Sequence, residues 1–244
     1  MKPYFLIIYL SALLVLPVTL KAQENYPVKK DVVNQQLWAD FYFDIKYNER
    51  LNFVVDLGYE TIFQENYWNK IYQQTSVNYK LNKRFNLQGG VAFYYHFNKE
   101  SENRFEFRPW QAVVTNIANK LRWSANVKLK LEQRVSYLVE QGRTDFDVRM
   151  RVRFGGSMKI TKDNVRTGWY IPYVAEYYYP IKDDIPEIFH NVAKAGVGIG
   201  KKIDNKWDFS LLANWQYSRS GPKEVYHVTD FAYQLQITKL IGYE

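Results

Sequence analysis

Hydrophobic and polar residues alternate with a period of two along almost the whole chain after its first 22 residues. Segment 145–154 shows this most clearly, because its apolar residues lie two apart and are separated by Asp147, Arg149, Arg151 and Arg153. Successive side chains of a β-strand point to opposite faces of the strand. The alternation therefore predicts strands with one apolar face and one polar or charged face.

The predicted strands are long. Segments 36–47, 121–134 and 207–218 continue the alternation for about 10 to 15 residues each, whereas a strand of a globular protein has about five or six and a tilted membrane-crossing strand has about 9 to 11. Aromatic residues gather near the predicted strand ends, where the girdles of a transmembrane barrel lie. These residues include Tyr59, Phe63, Tyr67, Trp68, Tyr94, Tyr95, Phe97, Trp169, Tyr170, Tyr177, Tyr178 and Tyr179. We therefore predict an all-β fold, a transmembrane up-and-down antiparallel β-barrel.

A soluble barrel or sandwich is the alternative fold for this pattern, with the apolar faces turned inward. The lumen of a barrel widens as strands are added. A soluble barrel of ten to twelve strands would have to fill a wide lumen with apolar side chains while covering its exterior with arginines. The membrane barrel accounts for the pattern more simply.

The connections between the predicted strands indicate how many strands there are and how they are oriented. Short polar connections at 48–50, 82–84, 119–120, 161–166 and 204–206 alternate with longer ones at 64–70, 98–103, 136–144, 180–187 and 219–224. Bacterial outer-membrane barrels have short periplasmic turns, longer external loops and an even number of strands. Eleven strands are clear, so we expect about 12, with ten as the alternative.

The first 22 residues resemble a signal peptide, with Lys2, an apolar block at 4–16, Pro17 and the small residue Ala22. A membrane-spanning helix needs about 20 apolar residues, more than this block has. We assign 1–22 to a signal peptide, 23–34 to an N-terminal segment that forms a weak strand or threads the lumen, and 35–244 to the barrel. The predicted location is the outer membrane of a Gram-negative bacterium.

The composition is both aromatic and charged, with 18% Phe, Trp and Tyr and 24% charged residues. Two-faced strands reconcile these values, because the aromatic residues lie against lipid and the charged ones face a lumen. The formal net charge is +8, of which the predicted signal peptide carries two positive charges, Lys2 and Lys21. There is no cysteine, which excludes a lipidated N-terminal cysteine and a disulfide framework.

The predicted lumen faces carry most of the charged chemistry. The basic residues expected there are Arg104, Arg108, Arg122, Lys128, Lys130, Arg134, Arg149, Arg151 and Arg153. The acidic residues expected there are Glu106, Glu132, Asp147, Glu176, Asp40, Asp44, Asp56 and Glu60. Two interpretations remain open. Interlocked ion pairs would fill the lumen of a structural barrel, or a basic wall opposite an acidic one would line a narrow pore for anionic solutes.

Several short segments are similar to a known family. They are Gln36 to Trp38, the Glu106, Arg108, Trp110, Gln111 group in RFEFRPWQ, Glu132 and Arg134 in LKLEQR, the arginines from Arg149 to Arg153, and Glu176 in YVAEYYY. On these residues the chain resembles the uncharacterised outer-membrane β-barrels of Gram-negative bacteria catalogued as domain of unknown function 2490. The resemblance implies a location and a fold, and it supplies no established activity.

Other functions have weaker support. An outer-membrane lipid-modifying enzyme would need a rim histidine, His96 or His190, with a serine such as Ser101 or Ser220, but no matching triad motif accompanies them. A protein that binds partners through its external loops is a further alternative. The glycines of 196–201 lack the spacing of a phosphate-binding loop and are interpreted as room for a bulky neighbour or for a segment that threads the lumen. We expect no enzymatic activity, cofactor, metal or nucleic acid, and a monomer in contact with outer-membrane lipid and lipopolysaccharide.

Overall fold

The computed structural model describes residues 33–63, 68–98, 103–120, 122–161, 167–182, 191–204, 206–218 and 227–242. Eleven strands occupy these ranges. They are β1 (Asn34–Lys46), β2 (Leu51–Ile62), β3 (Trp68–Lys80), β4 (Phe85–Asn98), β5 (Arg104–Asn119), β6 (Trp123–Leu138), β7 (Arg143–Lys159), β8 (Gly168–Lys182), β9 (Asn191–Ile203), β10 (Trp207–Ser218) and β11 (His227–Ile241). In the described ranges no helix is long and apolar enough to cross a membrane.

The strands form a closed barrel, as predicted. Each strand from β1 to β10 pairs antiparallel with the next, and β1 pairs with β11 in parallel. A chain that runs up and down through an odd number of strands begins and ends in the same direction, so its closing pair has to be parallel. The barrel therefore closes with eleven strands where we expected about 12, and its pairing is antiparallel everywhere except at this one seam.

The predictions for the N-terminal residues are only partly covered by the described residues. Asn34, the last residue of the predicted N-terminal segment, is the first residue of β1. The predicted signal peptide and residues 23–32 lie outside the described residues, and so does any twelfth strand there.

The outer surface of the barrel is apolar and the interior is polar. Leu57, Phe93 and Leu211 are among the many large apolar side chains that are exposed, whereas Glu106 and Glu132 are completely or almost completely buried. This arrangement follows from the alternation, since neighbouring residues of a strand face opposite sides of the sheet. A soluble protein rarely exposes a continuous apolar surface of this extent.

The two ends of the barrel are here called the turn end and the loop end. The odd-numbered strands finish and the even-numbered strands begin at the turn end, and the reverse holds at the loop end. The predicted long loop at 136–144 is shorter than expected, because β6 and β7 stay paired up to Leu138 and Arg143. A tight turn completes this hairpin, with Gly142 at φ 63° donating its N–H to the Leu138 carbonyl over 2.9 Å.

Glycines of β7 and β9 leave room for close contacts between neighbouring strands. A Cβ atom on Gly156 would overlap the backbone oxygen of Ser124, and one on Gly198 would overlap the backbone oxygen of Leu211. Glycine marks tight bends of barrel strands because a neighbouring backbone can approach it closely. In the same strand as Gly198, a Cβ on Gly200 would overlap the ring of Tyr170, which confirms that the glycines of 196–201 make room for their neighbours.

Candidate functional site in the barrel lumen

The lumen contains a cavity of about 650 Å³ lined by residues from all eleven strands. Gln36 and Asp44 of β1 both line it. These residues are eight positions apart, which corresponds to about 26 Å along a strand at about 3.3 Å per residue, or about 20 Å along the axis for a tilt of about 40°. The cavity thus follows the barrel axis over most of the strand length.

The first centre of charge in the lumen is Glu106, whose side chain is fully buried. Arg104, Glu106 and Arg108 are two positions apart on β5 and share its inner face. Arg108 Nε donates a 2.6 Å hydrogen bond to Glu106 Oε2, and Arg104 Nη1 lies 3.4 Å from Glu106 Oε1. From β6, Arg134 Nη2 also lies 3.4 Å from Glu106 Oε1, while its Nη1 donates to Asp147 Oδ2 on β7 over 3.0 Å.

Glu132 of β6 forms the second centre. Arg149 Nη2 and Arg151 Nη1 each donate a 2.8 Å hydrogen bond to it, and Lys130 Nζ is 2.7 Å from Glu132 Oε1. Arg151 also donates to Glu176 Oε1 of β8, from Nε over 3.0 Å and from Nη2 over 2.8 Å. Its guanidinium therefore links two buried carboxylates on either side of its own strand. Interlocked pairs of this kind hold charged side chains in fixed positions.

Aromatic rings lie within cation–π distance of several of these cations. The Arg108 guanidinium lies 3.9 Å from the ring centre of Tyr94, and Lys130 Nζ lies 4.2 Å from the ring of Trp110. Arg151 lies 4.9 Å from the ring centre of Tyr178. Tyr94 and Tyr178 are thus in the lumen, although they were expected in the outer girdles. For Tyr178 the signal was its spacing of two residues from Glu176, a predicted lumen residue of the same strand.

The opposite wall, on β1 and β2, is acidic. Asp40 accepts a 2.6 Å hydrogen bond from the Tyr72 hydroxyl and another from Gln234 Nε2 on β11. Glu60 forms a 2.5 Å ion pair with Lys70 of β3. This wall is therefore held by neutral donors as well as by a cation.

The other two acidic residues of this wall differ in their partners. Asp44 accepts a 2.7 Å hydrogen bond from Asn52. Asp56 is buried, and its Oδ1 has no hydrogen-bond partner in the described part of the chain. In the same part of the chain, no group of three or more His, Cys, Asp or Glu side chains converges on a possible metal position.

The predicted lumen residues lie inside the barrel with one exception. Arg122 is exposed in the connection before β6 and lines a separate depression of about 240 Å³ at the turn end, with Trp123, Ser157 and Lys159. The predicted strand began at residue 121, but β6 begins at Trp123. Arg122 is therefore a turn residue, and its assignment to the basic wall was wrong.

Besides Lys70, the charged lumen includes Lys194 and His96, and none of the three was predicted to lie there. Lys194 of β9 has its Nζ 3.8 Å from Glu176 Oε2 and 5.4 Å from the ring centre of Trp38. His96 faces inward, with Nε2 3.3 Å from Glu106 Oε1. This position is inside the barrel and away from the lipid-facing rim that the enzyme hypothesis required. His190, Ser101 and Ser220 lie outside the described residues.

A comparison with protein families gives a match. A family model described as a protein of unknown function, DUF2490, matches residues 35–227, from the second residue of β1 to the first residue of β11. No curated protein matches the chain.

Proposed function

The chain belongs to the DUF2490 family of proteins of unknown function, and we propose that it is an outer-membrane β-barrel whose lumen is a narrow pore favouring small anions. The observation that carries the proposal is a polar cavity along the axis of a barrel with an apolar exterior. In this proposal the turn end faces the periplasm, where β11 ends, and the protein acts as a monomer surrounded by lipid and lipopolysaccharide.

The proposal of a membrane location is supported by the outer surface. Trp123 and Trp169 are both 41% exposed near the turn end, and Tyr137 and Tyr177 are exposed near the loop end. Tryptophan and tyrosine at two separated levels are typical of the interfaces of a bilayer, where the ring is in lipid and the polar atom reaches water.

Lipids brominated near the top of the acyl chain are expected to quench the tryptophan fluorescence of the reconstituted barrel. Replacing Trp123 and Trp169 by Phe should remove much of that quenching, because both indoles lie on the outer surface. The matched change, Trp38 and Trp110 to Phe, should leave it almost unchanged, because these rings are 5% and 4% exposed and face the lumen. Equal quenching of both variants would contradict the proposed membrane embedding.

The proposal of a pore that favours anions is supported by the charge of the cavity lining. Ten basic and five acidic residues line it. Acids buried behind the lining, such as Glu132 and Asp147, reduce this excess without removing it. Eight of the ten basic residues lie on β5 to β7, and three of the five acidic ones lie on β1 and β2. Charged groups that line a constriction set which ions pass through it.

Two single substitutions on opposite walls are expected to change ion selectivity in opposite directions. Arg149→Gln removes a positive charge while Glu132 keeps Lys130 and Arg151, so anion preference should fall. Glu60→Gln removes a negative charge, so anion preference should rise. Each change should alter the anion-to-cation permeability ratio by about twofold, because a unit charge about 8 Å from an ion in water contributes about 0.5 kcal/mol.

The measurement is the reversal potential of the purified protein in a planar bilayer under a potassium chloride gradient. Lys83→Gln is the control, because Lys83 is exposed in the connection between β3 and β4. The absence of ion current in the wild-type protein would refute the pore. Shifts of the same sign for Arg149→Gln and Glu60→Gln would refute the assignment of basic and acidic walls.

A further inference from the structure

Two cations of the lumen stand outside its ion-pair network. Lys128 of β6 and Arg153 of β7 line the cavity and are directly opposite each other in the strand register. Neither forms an ion pair or a side-chain hydrogen bond with any residue in the described part of the chain. Lys128 Nζ rests 4.8 Å from the ring centre of Trp110. The pair presents two positive charges to the cavity without a carboxylate between them.

The neighbouring carboxylates are already engaged. Glu176 is the register partner of Arg153 on β8, but its oxygens accept hydrogen bonds from Arg151 over 2.8 Å and from the Tyr178 hydroxyl over 2.9 Å. Glu132, the acid that follows Lys130 on the inner face of β6, is held by that lysine, Arg149 and Arg151. The charges on Lys128 and Arg153 are thus left for a group that enters from the lumen.

The space next to this pair is open. Gly155 follows Arg153 on the inner face of β7, and the place of a Cβ there would be 3.6 Å from Arg153 Nε. Asn126 is the inward residue of β6 that is paired with Gly155, and both residues line the cavity. Arg153 itself is exposed within the described structure. The absence of a side chain at Gly155 leaves the edge of the guanidinium accessible, and the Asn126 amide provides a further donor nearby.

Like charges placed directly opposite each other on neighbouring strands destabilise a sheet. An anion between them would remove that repulsion. We propose that Lys128 and Arg153 form a binding site for one small oxyanion of the phosphate type. The planar guanidinium can donate two parallel hydrogen bonds to such an anion, and the ammonium adds a compact charge. The site lies in the lumen of the proposed pore, and this inference rests on that function only for its biological role.

The test is calorimetric titration of the full barrel, purified in an uncharged detergent, with inorganic phosphate at low ionic strength. The wild-type protein should bind one phosphate saturably, and the double variant Lys128→Gln/Arg153→Gln should bind it at least about tenfold more weakly. The control, Lys83→Gln/Arg84→Gln, also loses one lysine and one arginine, both exposed in the connection between β3 and β4, and should bind like the wild type.

Two results would overturn the site. One is the absence of a saturable heat signal when phosphate is added to the wild-type protein. The other is an unchanged phosphate affinity in both single variants, Lys128→Gln and Arg153→Gln. These single variants replace the double variant if it does not fold. Affinity should also fall as salt is added, because charges exposed to water are screened. Phosphate binding without ion current would refute the pore and keep the site, whereas current without phosphate binding would refute the site and keep the pore.

Discussion

Replacing Glu106 by glutamine is expected to lower the free energy of unfolding by about 3 to 5 kcal/mol, the range for breaking a buried ion pair from one side. Glu106 is fully buried and is contacted by the guanidinium groups of Arg104, Arg108 and Arg134. Glutamine keeps the size and one acceptor oxygen but removes the negative charge. Buried guanidinium groups would then face each other without the carboxylate that holds them together.

The measurement is urea unfolding of the barrel in lipid vesicles, followed by tryptophan fluorescence. Glu49→Gln is the matched control, since the same chemical change is made at an exposed residue in the connection between β1 and β2. The control should change stability by less than about 0.5 kcal/mol. If Glu106→Gln lost no more than its control, the Glu106 centre would not hold the barrel together.

Gly198→Ala is the second change for which we expect a large loss, about 1 to 3 kcal/mol, the range for overpacking a filled site. A methyl group at Gly198 would overlap the backbone oxygen of Leu211 on β10. Backbone atoms cannot rotate away as the end of a flexible side chain can. β9 and β10 would therefore have to move apart, which weakens the hydrogen bonds between them.

The same unfolding experiment checks this prediction, with Gly89→Ala as its control. At Gly89 the first atom that a Cβ would meet is the backbone oxygen of Trp110 at 3.8 Å, an ordinary contact distance. Alanine costs less chain entropy than glycine, so this control should be neutral or slightly stabilising. Equal losses at both positions would indicate that glycine is needed for general strand flexibility, and not for the close approach of β10.

The period of two predicted most of this barrel from sequence. Side chains two apart share a face whatever the fold around them, so residues such as Glu106 and Arg108 could be assigned to one surface before their partners were known. The alternation of faces predicts the position of a side chain more reliably than the clustering of aromatic residues does. Tyr94 and Tyr178 were expected in the lipid girdle, but their positions in β4 and β8 point them inward, beside Arg108 and Arg151.

The register between strands could not be predicted from sequence, and the ion pairs depend on it. Shifting β7 by two residues along β6 would keep every side chain on its face and give Glu132 different partners. The alternation also did not show at which residue a strand begins. Arg122 has the parity of a lumen residue, yet β6 begins after it. The even strand number was expected from other barrels, and no pattern in the residues themselves required it.

The parallel pairing of β1 with β11 has a consequence for the two ends of the barrel. β1 begins at the loop end and β11 finishes at the turn end, so the backbone enters the barrel at one rim and leaves it at the other. In an even-stranded barrel both ends would share a rim. A label attached next to Asn34 and one attached next to Ile241 would therefore lie on opposite sides of any layer that the barrel crosses. The first and last strands therefore identify the two rims of the barrel, one by the start of the sheet and the other by its end.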